Sequence, residues 1–80
     1  MENSVTFRIL TIEDLEDIIR IDRASFTAPW SREAFYNELT MNPYAIYIGA
    51  ELDGELVAYG GVWVIVDEAH ITNIAVHPEY

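Results

Sequence analysis

The dipeptide Asp53-Gly54, set between two β-rich runs, restricts the fold of this 80-residue chain more than any other feature. An Asp-Gly pair tolerates the left-handed backbone that a two-residue hairpin turn needs, so the runs on either side are expected to pair antiparallel. Tyr44 to Glu51, rich in Tyr and Ile, is the first of these strands. Glu55 to Val66, long and β-branched, is the second. Gly60-Gly61 interrupts it and implies a bulge or a close backbone approach. Asp67-Glu68 reads as a second tight turn, Ala69 to Val76 as a third strand, and His77-Pro78 as its stop. The C-terminal part is therefore a three-strand antiparallel meander.

Ahead of it, Val5-Thr6-Phe7-Arg8-Ile9-Leu10 alternates apolar and polar up to Leu10, the signature of a strand with one buried face. Thr11 is placed to cap a helix, with Asp14 in the capping-box position. Glu13, Asp14 and Glu16 fall in the first turn, where the helix dipole favours anions. Ile12, Leu15, Ile18 and Ile19 form one apolar stripe, with Phe26 further along. Pro29 disfavours helix at Ala28 and breaks the pattern. Ser31 then caps a second helix, flanked by Trp30 and Phe35 at the spacing of a hydrophobic staple, and Asn42-Pro43 ends it. The order is strand, helix, helix and three strands: an α+β chain with a mainly antiparallel sheet.

Composition narrows the function classes. Fourteen acids face four arginines and no lysine, for a formal net charge of −10. Phosphate neutralisation needs a basic patch, so direct nucleic-acid binding is not expected, and an anionic membrane surface would repel the chain. The acidity either keeps the protein soluble or steers a basic peptide or cationic amine towards it. With no cysteine there is no disulfide, and His70 and His77 lack the partners of a metal site, so no metal is expected. Met1 to Ser4 carries no basic segment leading into an apolar stretch, and the run around Val57 to Val66 is too short to span a membrane. A cytoplasmic protein is the default expectation.

Ile71 to Val76 is apolar on both faces in its second half. Such a strand belongs inside a sheet covered on both sides, yet it is the last strand here and stands to lie at an edge. Either further elements cover it, or the N-terminal strand lies beside it, or a second copy does.

Two stretches resemble one family. Ala28-Pro29-Trp30-Ser31 with Phe35, Glu38-Leu39 and Asn42-Pro43 is similar to the opening of bacterial ribosomal-protein-alanine N-acetyltransferases of the RimI type, within the GNAT superfamily. Asp67 to Tyr80 resembles the fourth strand of the same enzymes. The resemblance implies a GNAT-like βααβββ N-terminal half, residues 1–80 being the first part of one domain. The glycine-rich pyrophosphate loop would begin just after Tyr80, and the catalytic base and acid would lie downstream too, so no catalytic residue is assigned in this chain. It implies acetyl-CoA as cofactor and a protein N-terminus, the alanine of a small-subunit ribosomal protein with a basic tail, as acceptor. By itself the 80-residue piece is expected to be inactive.

Residue by residue, the resemblance assigns cofactor contact to Ile74, Ala75 and Val76, whose backbone is bulged in the family and offers a free amide. Taken without it, the same three residues read as an ordinary buried strand. Pro29 and Trp30 are expected to wall the acceptor groove, a role that coexists with the staple. His70, assigned to the substrate side, and His77 either relay a proton or are strand-face and turn histidines, and Glu68 is either an exposed turn acid or a contact to the peptide. Tyr44, Tyr47 and Tyr59 read as packing residues, one of which lends a hydroxyl to the groove. Two rival functions remain open: a non-catalytic acidic module that binds peptides, and a GNAT enzyme acting on a small amine.

Overall fold

The structure, a computed structural model, describes residues 4–80; Met1 to Asn3, which begin the segment read above as lacking a signal peptide, lie outside the described residues. Strand β1 (Val5–Ile9) leads through a short 3-10 turn (Ile12–Asp14) into helix α1 (Leu15–Ser25) and helix α2 (Arg32–Thr40). Strands β2 (Ala45–Leu52), β3 (Glu55–Ile65) and β4 (Glu68–Val76) complete one antiparallel sheet in the order β1-β2-β3-β4.

The local signals act as expected where they are self-contained. Thr11 has extended backbone, the Glu13 amide donates to its Oγ1 at 3.3 Å, and its own amide donates to Asp14 Oδ2 at 2.9 Å, closing the capping box. Arg8 then grips Asp14 with both Nη atoms at 2.7 and 3.0 Å and Glu51 with Nε at 3.1 Å, joining β1, the helix start and β2. That guanidinium, opposed by burial and helped by the Thr11 amide, holds the Asp14 carboxyl below its usual range. Ser31 accepts from the Ala34 amide at 3.1 Å, and Trp30 packs on Phe35 with ring centroids 5.2 Å apart. Asp53 and Gly54 take φ of 53° and 86°, both left-handed, as the hairpin requires.

One face of the sheet carries the core. Ile18, Ile19 and Ile21 of α1 and Phe35 of α2 cover Tyr47, Leu56, Tyr59 and Ala75. Burying each of these large side chains contributes about 1.5–3 kcal/mol. Phe35 meets Tyr47 and Tyr59 edge-on at 6.4 and 5.9 Å, and the two tyrosines stack at 6.1 Å. Glu38 anchors the far end: Oε1 accepts from the Tyr47 hydroxyl at 3.2 Å and the Trp63 indole at 2.7 Å.

Five expectations are corrected. β1 has no buried face: Val5, Phe7 and Ile9 are exposed, Phe7 by 73%, because both helices lie on the opposite side of the sheet. Phe26 and Ile12 leave the apolar stripe, since α1 ends at Ser25 with Phe26 already extended and Ile12 stands in the 3-10 turn. Tyr44 precedes β2 and is exposed, not packed. The second turn comes one residue early: Ile65 pairs with Glu68, so Val66 and Asp67 turn the chain. That register puts Val66, a β-branched residue, at φ 57°, strain of order 1–3 kcal/mol. The N-terminal strand does not lie beside β4; it pairs with β2 at the other edge, so among the described residues β4 has one neighbour.

Candidate functional site

The loop between α1 and α2 runs back over the end of β4. Between them lies a cavity of about 470 Å³ lined by Asp22, Phe26, Thr27, Ala28, Trp30, Thr72, Asn73 and Ile74. Loop residues make an apolar wall, the edge of β4 at Ile74 makes the facing wall, and Asp22 with Asn73 and Thr72 makes a polar floor.

A break in the β3–β4 ladder shapes this floor. Gly61 pairs with Asn73 and Val62 with Ile71, so Thr72 has no partner and β4 bulges there. The bulge turns Thr72 and Asn73 towards the helices, where the Thr72 hydroxyl donates to Asn73 Oδ1 at 3.0 Å. Gly61 is what admits them: a Cβ at this position would lie 2.7 Å from both Thr72 Oγ1 and Tyr47 Cζ, and 2.8 Å from Asn73 Oδ1. The close approach read from Gly60-Gly61 is thus at Gly61. The irregularity is at Thr72, and Ile74 to Val76 pair regularly with Gly60 to Ala58.

Ile74 to Val76 nonetheless offer backbone groups. The His77 amide donates to the Val57 carbonyl at 2.8 Å, which makes 77 and 57 a hydrogen-bonded position of the ladder. By antiparallel alternation Ala75 also faces β3, while the N–H and C=O of Ile74 and Val76 point to the open outer edge. Ser25 Oγ takes the Val76 carbonyl at 3.2 Å. The Ala75 side chain is buried against the helices, and the Ile74 and Val76 side chains are exposed on the other face.

Of the residues singled out in the sequence, Trp30 and Ile74 come together across the cavity. Pro29 is exposed in the same loop and does not line it. His70 lies beyond the bulge, paired across the strands with Trp63, exposed, with Nε2 3.1 Å from Glu68. His77 is half-buried, its Nδ1 accepting from the Glu79 amide at 3.2 Å. Tyr47 and Tyr59 are both core residues, and the Tyr59 hydroxyl reaches the floor.

The floor residues escaped the sequence reading, Asp22 above all. Asp22 is 1% exposed. Its Oδ1 accepts from the Tyr59 hydroxyl at 2.5 Å and its Oδ2 from the Trp30 amide at 2.8 Å. Asn73 Nδ2 donates to the Tyr59 oxygen at 2.8 Å. Burial, and then the hydrogen bond to Asp22, push the Tyr59 phenol far above its ordinary value, so it keeps its proton. The signal was present: Asp22 stands four residues after Ile18 and four before Phe26, on the line of the apolar stripe, where a carboxylate must find partners.

Two helices, a four-strand antiparallel sheet and a cavity between the interhelical loop and a bulged edge strand define the class of protein as α+β. The model of the GNAT acetyltransferase family matches residues 15–80, and the chain belongs to that family. It is 45% identical over 80 residues to a candidate ribosomal protein bS18-alanine N-acetyltransferase of Bacillus subtilis, covering 100% of this chain and 53% of that protein. The crystal structure of the ribosomal-protein-S18-alanine N-acetyltransferase of Escherichia coli superposes with TM-score 0.89 at 27% identity, over 96% of this chain and 48% of that one. The PaiA N-acetyltransferase of Thermoplasma acidophilum, solved in complex with coenzyme A, superposes with TM-score 0.81 at 26% identity, over 96% of this chain and 61% of that one. The chain spans about half the length of the first two relatives.

Proposed function

We propose that this chain is the N-terminal half of an acetyl-CoA-dependent N-acetyltransferase that acts in the cytoplasm on the α-amino group of a protein N-terminus. The acceptor would be the alanine of a ribosomal protein, as the names of the Bacillus subtilis and Escherichia coli relatives state for them. The observation that carries this reading is the meeting of Trp30 and Ile74 across one cavity, beside an edge strand whose Ile74 and Val76 backbone groups face outward.

The open edge fits the cofactor. An extended polar chain pairs with unpaired strand groups, and Ile74 and Val76 are the residues that would hold it. When bound, acetyl-CoA supplies an activated acetyl thioester. The protein's own residues then do three things. The outward amides orient what lies along β4. Phe26, Ala28 and Trp30 exclude water from the cavity and shape it for a small first side chain. Holding the amine close to its target in this way contributes through proximity. The charge of −10 suits an acceptor with a basic tail.

The test uses the full-length protein with acetyl-CoA and a peptide that begins with alanine and continues into a basic tail, read by mass spectrometry. The expected result is a gain of one acetyl group at the N-terminus. Transfer to spermidine or another small amine with none to the peptide would contradict the acceptor assignment, and transfer to neither would contradict the activity. By itself the 80-residue chain is expected to show no micromolar binding of acetyl-CoA by calorimetry; such binding would contradict its assignment as an incomplete half.

A further inference from the structure

We infer that Asp22 is a positioning residue that locks both walls of the cavity into one geometry, an inference resting on the acetyl-transfer reading above. The hydrogen bonds around it form one directed chain. Each Asp22 oxygen accepts one hydrogen bond, Oδ2 from the Trp30 amide and Oδ1 from the single Tyr59 proton. With its proton committed to Asp22, the Tyr59 oxygen is left as an acceptor and takes Asn73 Nδ2. That fixes the flip of the Asn73 amide, whose Oδ1 must then accept, and it does so from the Thr72 hydroxyl. The direction of every bond follows from the acceptor at its head.

The two ends of this chain lie on different elements, the loop wall and the floor that carries the facing wall. Trp30 belongs to the interhelical loop, and Thr72 and Asn73 are the bulge of β4. Asp22 is the side chain that touches the loop and, through Tyr59 alone, reaches the bulge. It lies within the floor, nearly sealed from solvent, where an acceptor in a low-dielectric setting holds its donors more strongly than at the surface. Ile74, with its outward backbone, follows the bulge directly, so the bulge sets where the cavity's facing wall stands. Asp22 therefore governs how an acceptor is seated, and the outer edge of β4, which pairs regularly with β3, is much less affected.

Asp22→Asn tests this, because it keeps the shape and supplies a donor where only an acceptor stood. In the full-length protein two readouts are taken. The first needs no activity: hydrogen exchange, by NMR, of the Trp30 backbone amide and the Asn73 side-chain amide. Both are expected to exchange about tenfold faster or more, because the Trp30 amide loses its carboxylate acceptor and Asn73 loses a Tyr59 oxygen fixed as acceptor. The second is kinetic: the KM for the acceptor peptide rises about tenfold while that for acetyl-CoA stays within about twofold. Tyr59→Phe, which removes one hydroxyl, repeats the Asn73 effect and the acceptor KM effect should Asp22→Asn fail to fold. Faster exchange at Trp30 with Asn73 unchanged would overturn the inference, reducing Asp22 to a loop tether. Equal rises in both KM values would overturn it as well. If the wild-type protein acetylates no peptide, the acetyl-transfer reading fails, and the exchange readout still decides whether Asp22 couples the two walls.

Discussion

The two faces of the sheet are almost equally apolar and entirely differently covered. On one, Tyr47, Tyr59 and Ala75 lie under Ile18, Ile21 and Phe35. On the other, the cross-strand register aligns Phe7 and Ile9 with Ala50 and Ile48, and Ala58 and Gly60 with Val76 and Ile74. Phe7, Ile9, Ile48, Ile74 and Val76 are all exposed, with Ile71 68% exposed near the same edge. A contiguous apolar surface of this kind marks an interface in ordinary soluble proteins. The pattern of a strand thus records that a face is to be buried, and the cover itself can come from elsewhere. On the proposed reading it comes from the other half of the enzyme.

The sharpest way to break this contrast sets one substitution on each face. Phe35→Ala leaves a cavity in the covered core and is expected to lower stability by about 3–5 kcal/mol, in the 80-residue chain and the full-length protein alike. Ile48→Asp is expected to lower it by about 3 kcal/mol or more in the full-length protein, where a buried charge would stand unpaired. In the 80-residue chain, where Ile48 is exposed, it should be close to neutral. Denaturant melts of both variants in both lengths check this; an Ile48→Asp effect equal in the two lengths would remove the basis for a covering half.

A smaller effect is expected at Gly61, where the covered face meets the cavity. Gly61→Ala drives a methyl into Thr72, Asn73 and the Tyr47 ring, an overpacking expected to lower stability by about 1–3 kcal/mol and to disturb the bulge. Gly60→Ala, whose nearest neighbour would be 3.8 Å away on the bare face, is the control and should lack that clash.

The smallest effect is at the cap. Asp14→Asn weakens the capping box, an expected loss of about 1 kcal/mol at neutral pH, and also the Arg8 pair, which solvent around Arg8 screens. Its sign with pH is fixed by the lowered Asp14 value. The contribution is fully present above the unfolded carboxyl value of about 3.9 and is lost as pH falls through the folded one. Wild-type stability should therefore fall in acid by an increment that Asp14→Asn lacks, measurable from melts between neutral and strongly acidic pH.

What could be read in the residues was whatever a short stretch decides by itself. The Asp53-Gly54 hairpin, the Thr11–Asp14 cap and the Trp30–Phe35 staple each involve residues one to five apart. The resemblance carried by Ala28 to Ser31 and Asp67 to Tyr80 supplied the family. Asp22 was not legible because its meaning depends on Tyr59, 37 residues away, and on the loop folding back. The bare face of β1 was not legible because alternation in Val5 to Ile9 says that one face is apolar, not on which side the helices lie. The turn was misplaced by one residue because the ladder pairs Ile65 with Glu68, which puts Val66 in the turn against its β-branched preference for a strand.

The most direct test is a crystal structure of the full-length protein with coenzyme A. The account predicts the cofactor's extended arm along the outer edge of β4, held by the backbone of Ile74 and Val76, with Trp30 across the cavity and the Phe7, Ile48 and Ile74 face covered. A neighbouring strand hydrogen-bonded along the whole of that edge, leaving no space beside Ile74 to Val76, would contradict it.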